Sequence, residues 1–457
     1  MIGKKWKEAA EEEINSLNDK NTWILVDNKN DNKLIGCKWV FNIKRNGEGN
    51  HERYKARLVA KGYTQLENID YHETFSPVSK MTSIRLILKL AMINQMFIKQ
   101  LDVKTAFLNG TNTADLYMKQ PEGFDDGSGR VCKLVKSLYG LKQASHVWNK
   151  EIDKIFKEME FKQSKSDQCI YFLNNQKMKC FIILYVDDLV IAATDKDYID
   201  DFVKNLETKF EIKILPKFDY FLGININHEI DKNIIHLNQR KYIENLLHKF
   251  GLSDCRSVIT PIDPNTKLIK NEKQIDEDLV NNYQKIIGSF HYLVNCTRPD
   301  IAVVTCILSQ YNQNPGTEHL LASKRVLRYL KGTIDLGIKI DKFKSGEYLN
   351  LICYVDADWG GNFIDKRSTT GYIFYLNDNL ISWSTKKQQT VALSSTEAEY
   401  MAETEATKEA IWLKNLLNEL GFQIKLPIKI ICDNQVRFDW IRIRFFMLEL
   451  STFYIRR

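Results

Sequence analysis

Asp187 and Asp188 lie side by side inside an apolar run, with Phe181–Val186 before them and Leu189–Ala193 after. The flanks are aliphatic and β-branched, so they read as two strands with the acidic pair at the turn of a tight hairpin. Burying one unpaired carboxylate costs on the order of several kcal/mol, so such a pair calls for cations. A divalent metal with oxygen ligands answers that call. A solvated Asp-Asp turn between two ordinary strands is the plainer alternative. A third carboxylate, Asp102, ends the strand-like Gln100–Val103. One Asp from one segment and a pair from a hairpin form a ligand set for two metals about 3.5–4 Å apart, the arrangement that serves in-line phosphoryl displacement. Spacing alone shows strands and turns; it does not bring the three acids together.

A second set of acids sits farther along. Leu351–Asp358 is a strand that ends in Asp356 and Asp358, and Ile428–Asp433 is another that ends in an acid. Between them Ser394–Ala402 opens a helix rich in Ala and Glu, where Thr396 and Glu399 have the spacing of a capping box. Lys55 and Arg57 stand two apart on a strand-like segment and so share one face. Arg forks onto phosphate oxygens while Lys acts as a point charge. A basic, solvated edge strand would look the same.

The elements that position these residues belong to a large chain. It has 457 residues, 44% of them hydrophobic and 27% charged, which predicts about three domains with real cores. The net charge of +7 is a mild basic excess, compatible with a nucleic-acid partner. Nine cysteines are scattered without a CxxC pair, which argues against a zinc site or a disulfide framework and for a reducing compartment. No signal peptide and no membrane-spanning run is apparent, so neither secretion nor a membrane partner is expected. Arg240–Phe250 carries Tyr242, Ile243, Leu246, Leu247 and Phe250 at helical spacing, leaving Lys241 and Lys249 for other contacts.

The wording of several segments resembles the reverse transcriptase of copia-type LTR retrotransposons. The resemblance runs through Arg53–Gly62, Glu73–Val78, Gln120–Phe124, Ser137–Ala144, the Asp187-Asp188 hairpin, Thr297–Asp300 and Cys432–Gln435, about nine-tenths of the chain. It implies an α+β multidomain protein: a right-hand polymerase of fingers, palm and thumb followed by an RNase H-like mixed α/β domain. Expected boundaries are a lead-in helix at 1–22, reverse transcriptase at 23–262, a connection at 263–346 and the RNase H-like unit at 347–457. The resemblance implies that Asp102, Asp187 and Asp188, with the Val103 carbonyl, hold two Mg²⁺ or Mn²⁺ ions. It implies that Lys55 and Arg57 grip the incoming triphosphate, that Phe107 excludes a 2′-hydroxyl, and that Tyr139 and Gly140 lie over the nascent base pair. Tyr220–Asn227 resembles a primer grip and Arg240–Phe250 a thumb helix.

Asp356, Glu399 and Asp433 resemble the RNase H acids, chosen over Asp358 and Glu397. The implied partners are an RNA template, a DNA or tRNA primer and dNTPs, in a cytoplasmic virus-like particle or the nucleus. Two departures stand out: His146 where the family carries Arg, and an ending from Val436 to Arg457 without His or Gly. The ending reads as a truncated, decayed RNase H terminus, abnormal after 435, that should loosen the Asp433 strand and impair hybrid cleavage. A non-catalytic remnant that at most binds nucleic acid is the alternative.

Overall fold

The computed structural model describes residues 3–28, 33–45, 51–112, 114–175, 178–263, 268–272, 274, 276–342, 348–362, 364–433 and 453–456. Its central element is a six-stranded antiparallel sheet of β12 (Ile212–Ile214), β5 (Phe97–Val103), β11 (Asp188–Ala193), β10 (Lys179–Tyr185), β9 (Ile170–Asn174) and β8 (Lys162–Gln163), in that order. Both faces of this sheet are covered. Leu101, Val103, Ile182, Leu184, Leu189 and Ile191 pack on α3 (Ala144–Glu158) and α4 (Lys196–Glu207). Phe181, Ile183, Val190 and Ala192 pack on α2 (Met81–Ile93). Two-sided burial explains why β10 and β11 are apolar at nearly every position instead of alternating.

Upstream of this sheet, β3 (Cys37–Arg45) and β4 (His51–Ala60) form a two-stranded antiparallel ribbon. Helix α1 (Lys4–Asp19) lies along β4. A small sheet of β1 (Trp23–Val26), β7 (Val131–Leu134), β6 (Tyr117–Met118) and β2 (Leu34–Ile35) packs beside the ribbon around Leu58, Met118 and Leu138.

Downstream, β13 (Tyr220–Phe221), β14 (Ile224–Glu229), β15 (Ile234–Asn238) and β16 (Gly337–Asp341) form a meander. Helices α5 (Arg240–Lys249), α6 (Glu277–Cys296), α7 (Ala302–Ser309) and α8 (Thr317–Gly332) share one core that contains Leu246, Ile287, Leu308 and Leu327. That core runs across the boundary expected at 262, and β16 pairs with β15 along its whole length. The segment expected as a connection is thus built into the same packed unit as the helix before it. The other expected seam, around 341–347, lies mostly outside the described residues.

The last unit is a mixed sheet, β19 (Asn379–Lys387), β18 (Thr369–Leu376), β17 (Leu351–Asp358), β20 (Ile428–Ile431) and β21 (Phe453–Arg456), with α9 (Ser395–Glu419) on one face. β17 and β20 run parallel, as do β20 and β21. The tail between 434 and 452 lies outside the described residues, yet Phe453–Arg456 pairs in register with Ile428–Ile431. The strand before Asp433 is therefore hydrogen-bonded on both sides, contrary to the loosening expected from the unusual tail. Among the described residues no helix is long and apolar enough to cross a membrane.

Helix α2 joins the central sheet to this last unit. Residues Ser83 to Met92 are all buried, and two of them are cations. Arg85 donates to the carbonyls of Ile381 (2.7 Å), Asn295 (2.8 Å) and Cys296 (3.0 Å), and its guanidinium lies 3.9 Å from the Trp383 ring centroid. Lys89 donates to the Asp341 carbonyl and to Asn379 Oδ1 at 2.7 and 2.6 Å. A buried acceptor stripped of its donor loses about 1–3 kcal/mol. Arg85→Met strands three carbonyls, so the urea midpoint should fall by the equivalent of roughly 3 kcal/mol or more. An unchanged midpoint would show that Arg85 ties nothing together.

Candidate active site

The hairpin expected around the acidic pair is formed by β10 and β11, with Tyr185 paired to Asp188 and Val186-Asp187 as the turn. Val186 has φ 56°, a left-handed conformation in which a β-branched residue is a genuine outlier. Such strain is worth about 1–3 kcal/mol and persists only where neighbours over-determine the turn. Here two hydrogen bonds do so. The indole Nε1 of Trp148, on α3, donates to the Val186 carbonyl at 2.8 Å. The Val103 backbone N–H donates to the Asp187 carbonyl at 2.9 Å. Trp148 was not legible as a site residue. Its spacing with Ile152 and Ile155 marks it as core, which it also is.

The β11–β5 register then sets Asp188 directly opposite Asp102. Neighbouring Leu101, Val103 and Leu189 point into the core on the α3 and α4 side, so the two acids share the opposite face of the sheet. Burial first, then the charges of Asp102 and Asp188, push the Asp187 carboxyl up to about 6. Asp188 is pushed up to about 6 by burial and Asp102, against a hydrogen bond from Gln100. Asp187 Oδ1 is buried with no hydrogen-bond partner. A buried anionic oxygen without a donor, among two further carboxylates, fits a hard divalent cation.

A cleft of about 700 Å³ opens in front of these acids. Asp102, Val103 and Asp187 form one wall, and Lys55 and Arg57 of β4 form another, with Lys213 of β12 beside them. Tyr139 also lines it, with the Arg57 guanidinium 5.1 Å from its ring centroid. Phe107 packs edge-on to Tyr139 at 5.1 Å between centroids; it is half-buried between two cores and stands outside the residues lining the cleft. Gly140 has φ +91°, and a Cβ there would sit 2.2 Å from the Ala60 carbonyl oxygen. Its close approach is therefore to β4, where Ala60 N–H donates to the Tyr139 carbonyl at 2.7 Å. His146 faces the Phe75 carbonyl through Nδ1 at 2.6 Å.

The second acidic set is also brought together. The parallel register aligns Tyr354 with Ile431, so Asp356 and Asp433 stand two residues beyond the last pair on neighbouring strands. Glu399 enters from the first turns of α9 and is buried, while Asp356 and Asp433 are exposed. Burial raises the Glu399 carboxyl, and Asp356 and Asp433 add to that. The helix cap lies elsewhere than the Thr396–Glu399 spacing suggested. Ser394 is the N-cap and accepts from Glu397 N–H at 3.1 Å, while Glu397 accepts from Leu393 N–H at 2.6 Å. The helix starts two residues earlier than the Thr396 pattern suggested, which leaves Glu399 without a capping duty. The thiol of Cys432 donates to Glu399 at 3.2 Å, and the ligand atoms of Glu399, Cys432 and Asp433 lie within 4.8 Å of one another. Nothing in the spacing of the cysteines pointed to Cys432. Asp358 instead lies against Gly361.

The central sheet thus carries three acids at a hairpin and an opposed strand, two of them lining a cleft that also holds Lys55, Arg57 and Lys213. The family described as reverse transcriptase (RNA-dependent DNA polymerase) matches residues 20–264, and the chain belongs to it. It is 43% identical over 435 residues to the retrovirus-related Pol polyprotein from transposon RE1 of Arabidopsis thaliana, covering 94% of this chain and 29% of that protein. It is 41% identical over 439 residues to the corresponding polyprotein from transposon TNT 1-94 of Nicotiana tabacum, covering 94% and 33%. The chain thus corresponds to part of a copia-type transposon Pol polyprotein and spans about a third of these relatives' length. A foamy viral protease-reverse transcriptase solved with double-stranded DNA aligns at 12% identity with a TM-score of 0.26, too remote to place any element.

The elevated carboxyls carry a pH signature. Both fold with values near 6 against an ordinary 3.8, so the native state takes up protons before the unfolded chain does. Their repulsion is fully present above pH 6 and is relieved as pH falls toward 4. Metal-free protein should accordingly gain stability from pH 7.5 to 5.5 through this cluster. Asp187→Asn should reduce that gain, and Mg²⁺ should stabilise the wild type at pH 7.5 more than the variant. Urea midpoints with and without chelator read all three, and equal slopes for the two proteins would refute the assignment.

Proposed function

We propose that this chain is an RNA-directed DNA polymerase working by two-metal nucleotidyl transfer. The single observation that carries the reading is the unpartnered, buried Asp187 Oδ1 beside Asp102 and Asp188, at the mouth of a cleft with Lys55 and Arg57 on its far wall. In this reading the six-stranded sheet is the palm, the β3–β4 ribbon belongs to the fingers, and α5 with its neighbours forms the thumb. Asp102, Asp187 and Asp188, with the Val103 carbonyl, would hold two Mg²⁺ or Mn²⁺ ions. Such ions activate a primer hydroxyl and offset charge on the leaving pyrophosphate.

The chain's own residues do the rest. Arg57 and Lys55 offer donors to triphosphate oxygens, Arg57 braced on the Tyr139 ring. The Trp148 and Val103 hydrogen bonds keep the Asp187 turn from relaxing, since a small misplacement costs roughly a factor of 10² in rate. The β13–β14 hairpin around Leu222-Gly223 would grip the primer, with Lys241 held 5.4 Å from the Tyr220 ring. Phosphate contacts of this kind carry little sequence information, so template–primer binding is read as electrostatic.

The last unit is read as RNase H-like, with Asp356, Glu399 and Asp433 as its acids. Two of the three are exposed, and the Cys432 thiol occupies Glu399, so its activity is read as impaired. Purified protein with an RNA template, a DNA primer, dNTPs and Mg²⁺ tests both readings together. Wild type should extend the primer and Asp187→Asn should not, with the fold intact by circular dichroism. Cleavage of the RNA strand should stay close to an Asp356→Asn blank. No extension by the wild type would identify a non-catalytic remnant, and robust cleavage would overturn the second reading.

Phe107 is proposed as the residue that excludes a 2′-hydroxyl, acting at the edge of Tyr139. Phe107→Ala should raise ribonucleotide incorporation relative to deoxynucleotide on the order of tenfold. An unmoved ratio would make Phe107 a packing residue only.

A further inference from the structure

Helix α1 ends just before the stretch that matches the reverse transcriptase family, residues 20–264, yet it forms part of the cleft. The β3–β4 ribbon has two strands, so one edge of β4 faces away from β3. On that edge Leu58 N–H donates to Glu13 Oε1 at 3.3 Å, and two residues on Ala60 N–H donates to the Tyr139 carbonyl. The helix is held there firmly. Trp6 meets Phe41 and Tyr54 edge-on at 5.2 and 4.4 Å, Ala9 and Ala10 pack on Ala56, and Leu17 is fully buried beside Leu58. Glu13 shares the inner stripe of α1 with Ala9, Ala10 and Leu17, so its carboxylate is drawn into the cleft wall.

Glu13 shares the cleft lining with Glu12, Asp187 and several cations. Lys104 is already matched by Glu211 at 2.5 Å. Burial raises the Glu13 carboxyl, and the Leu58 N–H and then the charges of Lys55 and Arg57, which also act on Asp187, pull against it. We propose that α1 is a working wall of the nucleotide cleft, with Glu13 as the counter-anion that holds Lys55 and Arg57 toward the cleft until a triphosphate takes its place. Glu13 is thus a positioning residue that tunes triphosphate affinity through those two cations. The proposal rests on the polymerase reading above for the identity of the anion.

Glutamine and alanine separate this role from simple edge capping. Glu13→Gln keeps an acceptor for Leu58 N–H and removes the charge; Glu13→Ala removes both. Glu8→Gln removes the same charge from the exposed side of α1 and serves as control. The first measurement is calorimetric binding of inorganic tripolyphosphate to the full chain without metal, which needs no catalysis. Glu13→Gln should bind roughly three- to tenfold more tightly than wild type, an effect of one nearby charge at intermediate dielectric. Glu8→Gln should match wild type. The second is primer extension, where Glu13→Gln should lower KM for dTTP by a similar factor and leave kcat within about twofold. Equal tripolyphosphate affinity for wild type and Glu13→Gln, with only Glu13→Ala destabilised, would make Glu13 an edge cap and overturn the proposal. Tighter binding without any extension by wild type would keep the counter-anion role and refute the polymerase reading alone.

Discussion

Everything at the centre of this molecule follows from carboxylates that repel one another. The β11–β5 register sets Asp188 against Asp102, and the turn adds Asp187 with one oxygen unpartnered. Gln100 helps Asp188, and the charges of Arg57 and Lys55 draw on Asp187, but burial and mutual repulsion outweigh them. The rest of the sheet must therefore hold the cluster against its own charge. It does so with apolar burial on both faces and with two backbone-directed hydrogen bonds at the turn, from Trp148 and from Val103. A sheet packed on one face only would let the hairpin splay and the charges separate. Two-sided packing makes that movement expensive, since it would open both cores at once.

The same constraint explains why α2 is buried so completely. It closes the face of the sheet on which Asp102 and Asp188 lie and continues into the core shared with α9. A helix with apolar residues all round could slide along such an interface. Arg85 and Lys89 remove that freedom by aiming at specific carbonyls on β19, α6 and β16 and at the Asn379 side chain. Most of their partners are backbone carbonyls, which no apolar replacement can satisfy, so these buried cations fill those acceptors and specify one docking position. The two acidic centres are thereby held by one continuous core.

What the sequence made legible was chemistry; what it hid was placement. Asp187 and Asp188 announced themselves because a pair of acids in an apolar run has few uses, and Asp102 because its strand ends beside a turn. The register that opposes Asp188 to Asp102 has no local signal, since a strand's partner is chosen by distant packing. Val186 at positive φ was invisible because its type argues against that conformation. Trp148 was hidden by its own helical spacing. The helix cap was misplaced by two residues because Ser394, Ser395 and Thr396 can all cap, and only backbone geometry selects Ser394. Helix α1 was expected only as a lead-in, and Glu13 becomes legible only when the edge of β4 is known. The strand Phe453–Arg456 was concealed by a tail whose composition suggested decay.

The two acidic sets differ in a way that burial alone accounts for. In the first, half-buried Asp187 and Asp188 are raised, and Asp187 lines a cleft together with two cations of β4. Charge in such a place is strongly felt, so adding or removing one unit changes affinity for any anion that enters. In the second, Asp356 and Asp433 lie open to solvent, where water screens them, and only Glu399 is buried. Its partners there are a thiol, a weak donor, and the Ala357 N–H, and neither carries a charge. A centre that relies on exposed acids must draw its metal from solution with little help from the fold. A centre that stores repulsion in a rigid sheet has that help built in. The asymmetry follows from where each strand ends: Asp102 and Asp188 on a sheet covered on both faces, Asp356 and Asp433 at the open end of one.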